Sequence, residues 1–155
     1  MIIILDNIRS KHNVGSIFRT SDACGGIEKI FLCGITPLPI DKWGKTNTGL
    51  TKVSLGAESY IPWEHADDAE SVIDRLKRDG YQILALELSP NATPYSHIKI
   101  QKNERAALIL GGEVTGLLPE ILAQADQVVA IPMHGRKESL NVAVAFGIVA
   151  YGILP

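Results

Sequence analysis

Three separated groups of side chains in this chain are of types, and at spacings, that could do chemistry. The first is Asn7-Ile8-Arg9-Ser10-Lys11-His12-Asn13-Val14-Gly15-Ser16-Ile17-Phe18-Arg19-Thr20. No acid falls between Asn7 and Ser21, so the segment presents hydrogen-bond donors and cations only. Helical spacing puts Gly15 and Arg19 on one face. Gly15 leaves room for something close to the backbone, and the planar fork of Arg19 suits phosphate. A strand-to-helix turn with a solvated arginine has the same composition. The second group is Leu110-Gly111-Gly112-Glu113-Val114-Thr115-Gly116-Leu117, a glycine turn that allows close approach of a flat or phosphorylated ligand. The third runs from Ile131-Pro132-Met133 through His134-Gly135-Arg136-Lys137-Glu138 to Ser139-Leu140-Asn141 and the apolar stretch Val142-Ala143-Val144-Ala145. Ser139 is the expected N-cap of a final helix, because its hydroxyl can accept from an orphan N–H of the first turn.

These groups have to be held by elements that the hydrophobic pattern outlines. Ile2–Leu5 is an apolar run without alternation, as expected of a strand covered on both faces. Asn13 reads as the cap of a helix through roughly Ala23, ended by Gly25-Gly26. Strands are expected at Lys29–Cys33, Ser59–Trp63, Tyr81–Leu88, Ala106–Leu110 and Gln127–Ile131. Helices are expected at Asp67–Arg78, Leu117–Ala125 and Leu140–Leu154. Gly34–Lys52, rich in Gly, Pro, Thr and Lys, is long for a plain connection, and such loops are usually functional or mobile. The pattern implies an α/β fold with a mostly parallel sheet and helices on both faces. With 155 residues and no internal repeat or linker, residues 1–155 read as one domain.

Composition narrows the function. A net charge of −2 argues against coating nucleic acid by bulk charge. Its distribution is uneven: residues 1–52 hold seven Lys/Arg against four acids, and residues 58–87 hold eight acids against three bases. A basic face on a mildly acidic protein fits local contact with a phosphate backbone. Met1–Leu5 is too short for a signal peptide and Val142–Leu154 too short to span a bilayer. Cys24 and Cys33 are not at metal or redox spacing and read as buried thiols of a cytoplasmic protein. The four histidines form no metal constellation. There is no Walker sequence, and no G-x-G-x-x-G follows the first strand, which lowers the odds of an NTPase or a dinucleotide enzyme.

Taken together and in order, Asn13-x-Gly15-x-x-x-Arg19-Thr20, Gly111-x-Glu113-x-x-Gly116-Leu117, and Ile131-Pro132-Met133 with Ser139-Leu140-Asn141-Val142-x-x-Ala145 resemble the three motifs of the SpoU or TrmH branch of the SPOUT superfamily. Thr51–Glu58 resembles a further family segment, so the resemblance covers essentially the whole chain. Members of that branch are RNA ribose 2′-O-methyltransferases. The resemblance implies a SPOUT fold whose C-terminal part is tied in a trefoil knot, a feature that sequence patterning would not suggest, since threading is nearly absent among folds. It implies S-adenosylmethionine bound at Leu110, Gly111, Gly112, Glu113, Ile131, Met133, Ser139 and Leu140. It implies a homodimer with the first and last helices in the interface and no metal. Arg19 would reach the methyl donor of the other subunit, and Arg19, Asn13, Ser139 and Asn141 would form the catalytic set.

A guanidinium holds its proton beyond pH ~12, so Arg19 is better read as holding the 3′-phosphate and lowering the hydroxyl pKa than as the base. Glu113 is better read as structural or substrate-orienting. RNA contacts are expected from Arg9, Lys11, Arg19, Lys45, Lys52, Arg136 and Lys137, with a compact tRNA favoured over rRNA. The rival readings are a non-catalytic RNA-binding module with the same fold, and a small-molecule methyltransferase or flavodoxin-like nucleotide binder, which the basic-only first group disfavours.

Overall fold

The computed structural model describes residues 1–155. Seven strands form one sheet, every pair of them parallel. They are β1 (Ile2–Asp6), β2 (Lys29–Cys33), β3 (Trp63–Ala66), β4 (Gln82–Leu86), β5 (Thr93–Pro94), β6 (Ala106–Leu110) and β7 (Gln127–Ala130), in the order β3-β2-β1-β6-β4-β7-β5. The helices are α1 (Lys11–Cys24), α2 (Thr48–Ser54), α3 (Ala69–Arg78), α4 (Pro119–Gln124) and α5 (Val142–Ile153).

The unbroken apolar strands follow from burial on both faces. Ile3 and Leu5 of β1 and Leu108 and Leu110 of β6 enter one core with Val14, Ile17 and Phe18 of α1 and Phe146, Val149 and Ile153 of α5. Ile2, Ile4, Ala107 and Ile109 point the other way, against Val72, Ile73 and Leu76 of α3 and Ile121 of α4. Each fully buried Ile or Leu contributes ~1.5–3 kcal/mol, so the central strands are fixed from both sides. A one-residue slip would exchange the two faces.

Several boundaries differ from the sequence reading for local reasons. Ser10, not Asn13, caps α1: its hydroxyl accepts from the Asn13 N–H at 3.2 Å. Asn141, not Ser139, caps α5, its Oδ1 accepting from Ala143 N at 3.0 Å and Val144 N at 3.3 Å. The strand expected at Ser59–Trp63 begins only at Trp63, opposite Ile30. Ala57–Ser59 before it is a 3-10 turn, and the N–H groups of Tyr60 and Ile61 bond to Ala57 O instead of a ladder. Gly34–Lys52 is not one long loop, because Thr48 begins α2. Thr48 and Gly49 are weak helix formers, and the helix is held by packing on α1. A Cβ on Gly15 would lie 2.6 Å from Leu50 O and 2.9 Å from Val53 Cβ. The space at Gly15 is therefore taken by α2. Cys33 is fully buried, whereas Cys24 is only partly so, and both are free thiols.

Candidate functional site

Because all strands run the same way, their C-terminal ends share one edge, where parallel sheets bind ligands. Three loops converge there: Leu86–Leu88 after β4, Leu110–Gly116 after β6, and Ala130–Asn141 between β7 and α5. They wall a cleft of about 560 Å³, within the usual size of a small-molecule site. All eight residues assigned to the methyl donor from the sequence line it, and so does Asn141. The charged groups on its wall are Glu87 and Glu113, with no Lys, Arg or His among them. A slot with mixed polar and apolar walls and two carboxylates suits a flat, uncharged ring joined to a cationic centre.

The glycine turn is built for the chain's own backbone. Gly112 and Gly116 form an antiparallel bridge, with Gly116 N donating to Gly112 O at 2.9 Å. A Cβ on Gly111 would overlap the Gly116 carbonyl, and one on Gly112 would sit 2.9 Å from Asn7 O. The missing side chains are thus needed to close the turn, which then offers its edge to the cleft. Glu87, which sequence reasoning missed, holds the turn from below. Its Oε2 accepts from Leu117 N at 2.9 Å, and it would collide with any side chain at Gly116, where φ is +62°. Its sequence signal was faint: one carboxylate at the end of an apolar strand.

A hydrogen-bond relay ties the three sequence groups together. The Glu113 carboxylate accepts from Arg9 N at 3.1 Å, Ser10 N at 3.0 Å and Asn13 Nδ2 at 2.9 Å. Asn13, itself buried, accepts at Oδ1 from Asn141 Nδ2 at 3.1 Å. Asn141 in turn caps α5. Residues more than a hundred positions apart are thereby fixed to the start of α1, the glycine turn and the start of α5. Burial pushes the Glu113 carboxyl up, but the donors from Arg9, its own backbone, Asn13 and Ser10 outweigh it and hold the group below the usual carboxylate range. Glu113 is thus ionised at neutral pH and poorly suited to take a proton. Cys33 is no nucleophile either: burial, with Asp6 and Asp68 nearby, pushes its thiol up to about 12.

The remaining predicted residues are placed differently. Ser139 lies exposed at the mouth of the cleft. Arg19 is exposed on α1 and is not part of the cleft wall of its own chain. Arg9, Lys11, Lys45, Lys52, Arg136 and Lys137 are all exposed. Lys29, by contrast, is held by Glu64 at 3.1 Å. Beside α1, the outward side of α5 is apolar: Val144 is 52% and Tyr151 63% exposed, and Val142–Ile153 contains no charged residue.

Comparison with known proteins gives consistent results. The model of the SpoU rRNA Methylase family matches residues 1–151. A tRNA (guanosine(18)-2′-O)-methyltransferase of Borreliella burgdorferi is 32% identical over 154 residues, covering 99% of this chain and 66% of that protein. The chain thus spans about two thirds of the length of that curated relative. Among solved structures, the AdoMet-bound rRNA methyltransferase from Sinorhizobium meliloti superimposes with a TM-score of 0.83 at 30% identity, over 97% of this chain and 54% of that one. A structure concerned with 2-OH methylation of C/U34 on tRNA superimposes with a TM-score of 0.79 at 26% identity, over 97% of this chain and 91% of that one.

Proposed function

This chain belongs to the SpoU rRNA methylase family, and from that premise we propose that it transfers a methyl group from S-adenosylmethionine to a ribose 2′-hydroxyl of RNA, with tRNA favoured over rRNA. The observation that carries the reading is the cleft lined by residues of the second and third sequence groups, its charged lining wholly acidic, with the first group tied to it through Glu113 and Asn141. When bound, the donor supplies a sulfonium methyl: the 2′-oxygen forms the new O–C bond as the S–C bond breaks, and the hydroxyl proton leaves to solvent.

The chain's own residues position and shield. Backbone at Leu110, Gly111, Gly112, Ile131, Met133 and Leu140 holds the donor, and Leu86, Val142 and Ala145 keep water off one side. Ionised Glu113 fixes Asn13 and, through it, Asn141, so that the glycine turn and the start of α5 keep their spacing. Ser139 at the mouth orients the ribose. Holding reacting groups in place is worth ~7–11 kcal/mol in favourable cases.

A substrate phosphate needs a cation that the cleft wall lacks. We assign that role to Arg19 of a neighbouring copy, acting by charge on the 3′-phosphate. Exposed Arg19 on α1 and the apolar side of α5 next to it support a homodimer through these two helices. The trefoil knot belongs to the same reading. The chain leaves β7, three strands from β1 in the sheet order, and α5 returns to share a core with α1. No helix is long and apolar enough to cross a membrane; a cytoplasmic location belongs to the same proposal, as the compartment that holds the RNA substrate. The test is label transfer from methyl-labelled S-adenosylmethionine to unmodified bulk tRNA: nuclease-sensitive incorporation supports the proposal, and none, with donor binding intact, would leave only a binding module.

A further inference from the structure

The cleft and relay leave unused an aromatic side chain at the tip of the segment between β2 and α2. Trp43 is 80% exposed, an unusual position for the side chain with the largest apolar area. Its backbone is nevertheless firmly built. Asp41 Oδ1 accepts from both Trp43 N and Lys45 N at 2.9 Å, Asp41 N donates to Lys45 O at 3.0 Å, and Ile40 pairs with Thr46 across the turn. At the base, Thr36 Oγ1 donates to Leu5 O at 3.0 Å and accepts from Ile8 N at 3.1 Å, and Asn47 Nδ2 donates to Leu38 O at 3.1 Å. The tip is a hydrogen-bonded turn that presents one indole to solvent.

Its surroundings are cationic. The Lys42 ammonium sits 4.5 Å from the Trp43 ring centroid. From Gly34 to Lys52 the sole acid is Asp41, whose carboxylate is taken up by the turn. The Lys11 side chain passes 3.1 Å from where a Gly49 Cβ would be, so the acid-free start of α1 adjoins the base of this hairpin. The segment leaves the C-terminal end of β2, the same sheet edge as the cleft. An exposed ring among cations is the arrangement that stacks a base while neutralising its phosphates.

We propose that Trp43 is a stacking platform for an unpaired base of the RNA substrate, with Lys42, Lys45 and Lys11 on the flanking phosphates. This rests on the RNA reading above. The experiment compares wild type, Trp43→Ala and Trp43→Phe by fluorescence anisotropy at fixed salt, with unmodified bulk tRNA and with a fully paired RNA duplex. Expected is a loss of about 5- to 140-fold for Trp43→Ala on tRNA, the equivalent of ~1–3 kcal/mol per stacked base. Trp43→Phe retains most of the affinity, and the duplex shows little difference between the three proteins. Equal tRNA affinity of wild type and Trp43→Ala overturns the platform while leaving the RNA reading standing. Wild type that fails to bind tRNA overturns both. A shift of the oligomeric state in Trp43→Ala with RNA affinity unchanged would make the indole a protein contact instead, and also overturns the proposal.

Discussion

Replacing Glu113 tests whether the relay sets the shape of the cleft. Its carboxylate accepts three hydrogen bonds, at 3.1, 3.0 and 2.9 Å. A net hydrogen bond contributes ~0.5–1.5 kcal/mol. The two backbone donors are solvent-exposed and fall at the low end; the partly buried Asn13 bond falls higher. Glu113→Ala should therefore lose about 2 kcal/mol, or about 4–8 °C in Tm for a domain of this size. The pH dependence has a definite sign. The folded-state pKa lies below the ordinary carboxylate value, so the contribution is complete above the unfolded pKa of ~4.3 and is lost as pH falls through the folded value. The Tm gap between wild type and Glu113→Ala should be full from about pH 5 to 7 and narrow below about pH 4. Glu113→Gln keeps the volume and can leave its carbonyl oxygen on Ser10 N and Asn13 Nδ2, losing only the exposed Arg9 bond. It should therefore recover part of the loss, with no narrowing of its own at low pH. Differential scanning calorimetry across pH measures all of this. A variant that melts with wild type at pH 7, or a gap of constant size at low pH, would refute the reasoning.

Other changes act on separate parts of the account. Asn141→Ala removes the α5 cap and the bond to Asn13, and should lower Tm by about 2–6 °C; Asn141→Asp should restore part of the melting temperature but not methyl transfer, because its carboxylate cannot donate to Asn13. Gly15→Ala forces a methyl to within 2.6 Å of Leu50 O and should destabilise by ~1–3 kcal/mol in urea titration despite better helix propensity; a stabilised variant would contradict the α1–α2 packing. Arg19→Ala should reduce methyl transfer at least about 100-fold, the scale of losing a charge-stabilising donor, while titration calorimetry finds donor affinity nearly intact. Equal loss of both would count against its placement outside the cleft.

The sheet was legible because its strands are short, apolar and bounded: Lys29–Cys33 and Ala106–Leu110 stand as read. The residues that line the cleft were legible through ordered motifs. The caps were misread because Ser and Asn compete for the same role. Ser10 caps α1 and so releases Asn13 to reach Glu113, while Asn141 satisfies α5 and Asn13 together. That choice depends on contacts across the fold. α2 was hidden because Thr48 and Gly49 carry no helical signal and the helix leans on a tertiary contact at Gly15. Glu87 was hidden because its partner, the Leu117 N–H, lies thirty residues away in a turn that only the folded chain forms.

The most direct test of the central claim uses the chemistry of the product. Alkali cleaves RNA by attack of the 2′-oxygen on the neighbouring phosphorus, and a methyl on that oxygen blocks it. Unmodified tRNA labelled by this protein from methyl-labelled S-adenosylmethionine, then hydrolysed in alkali, should carry its label in surviving dinucleotides. Label recovered in mononucleotides, on a base, or not at all would contradict methyl transfer to the ribose.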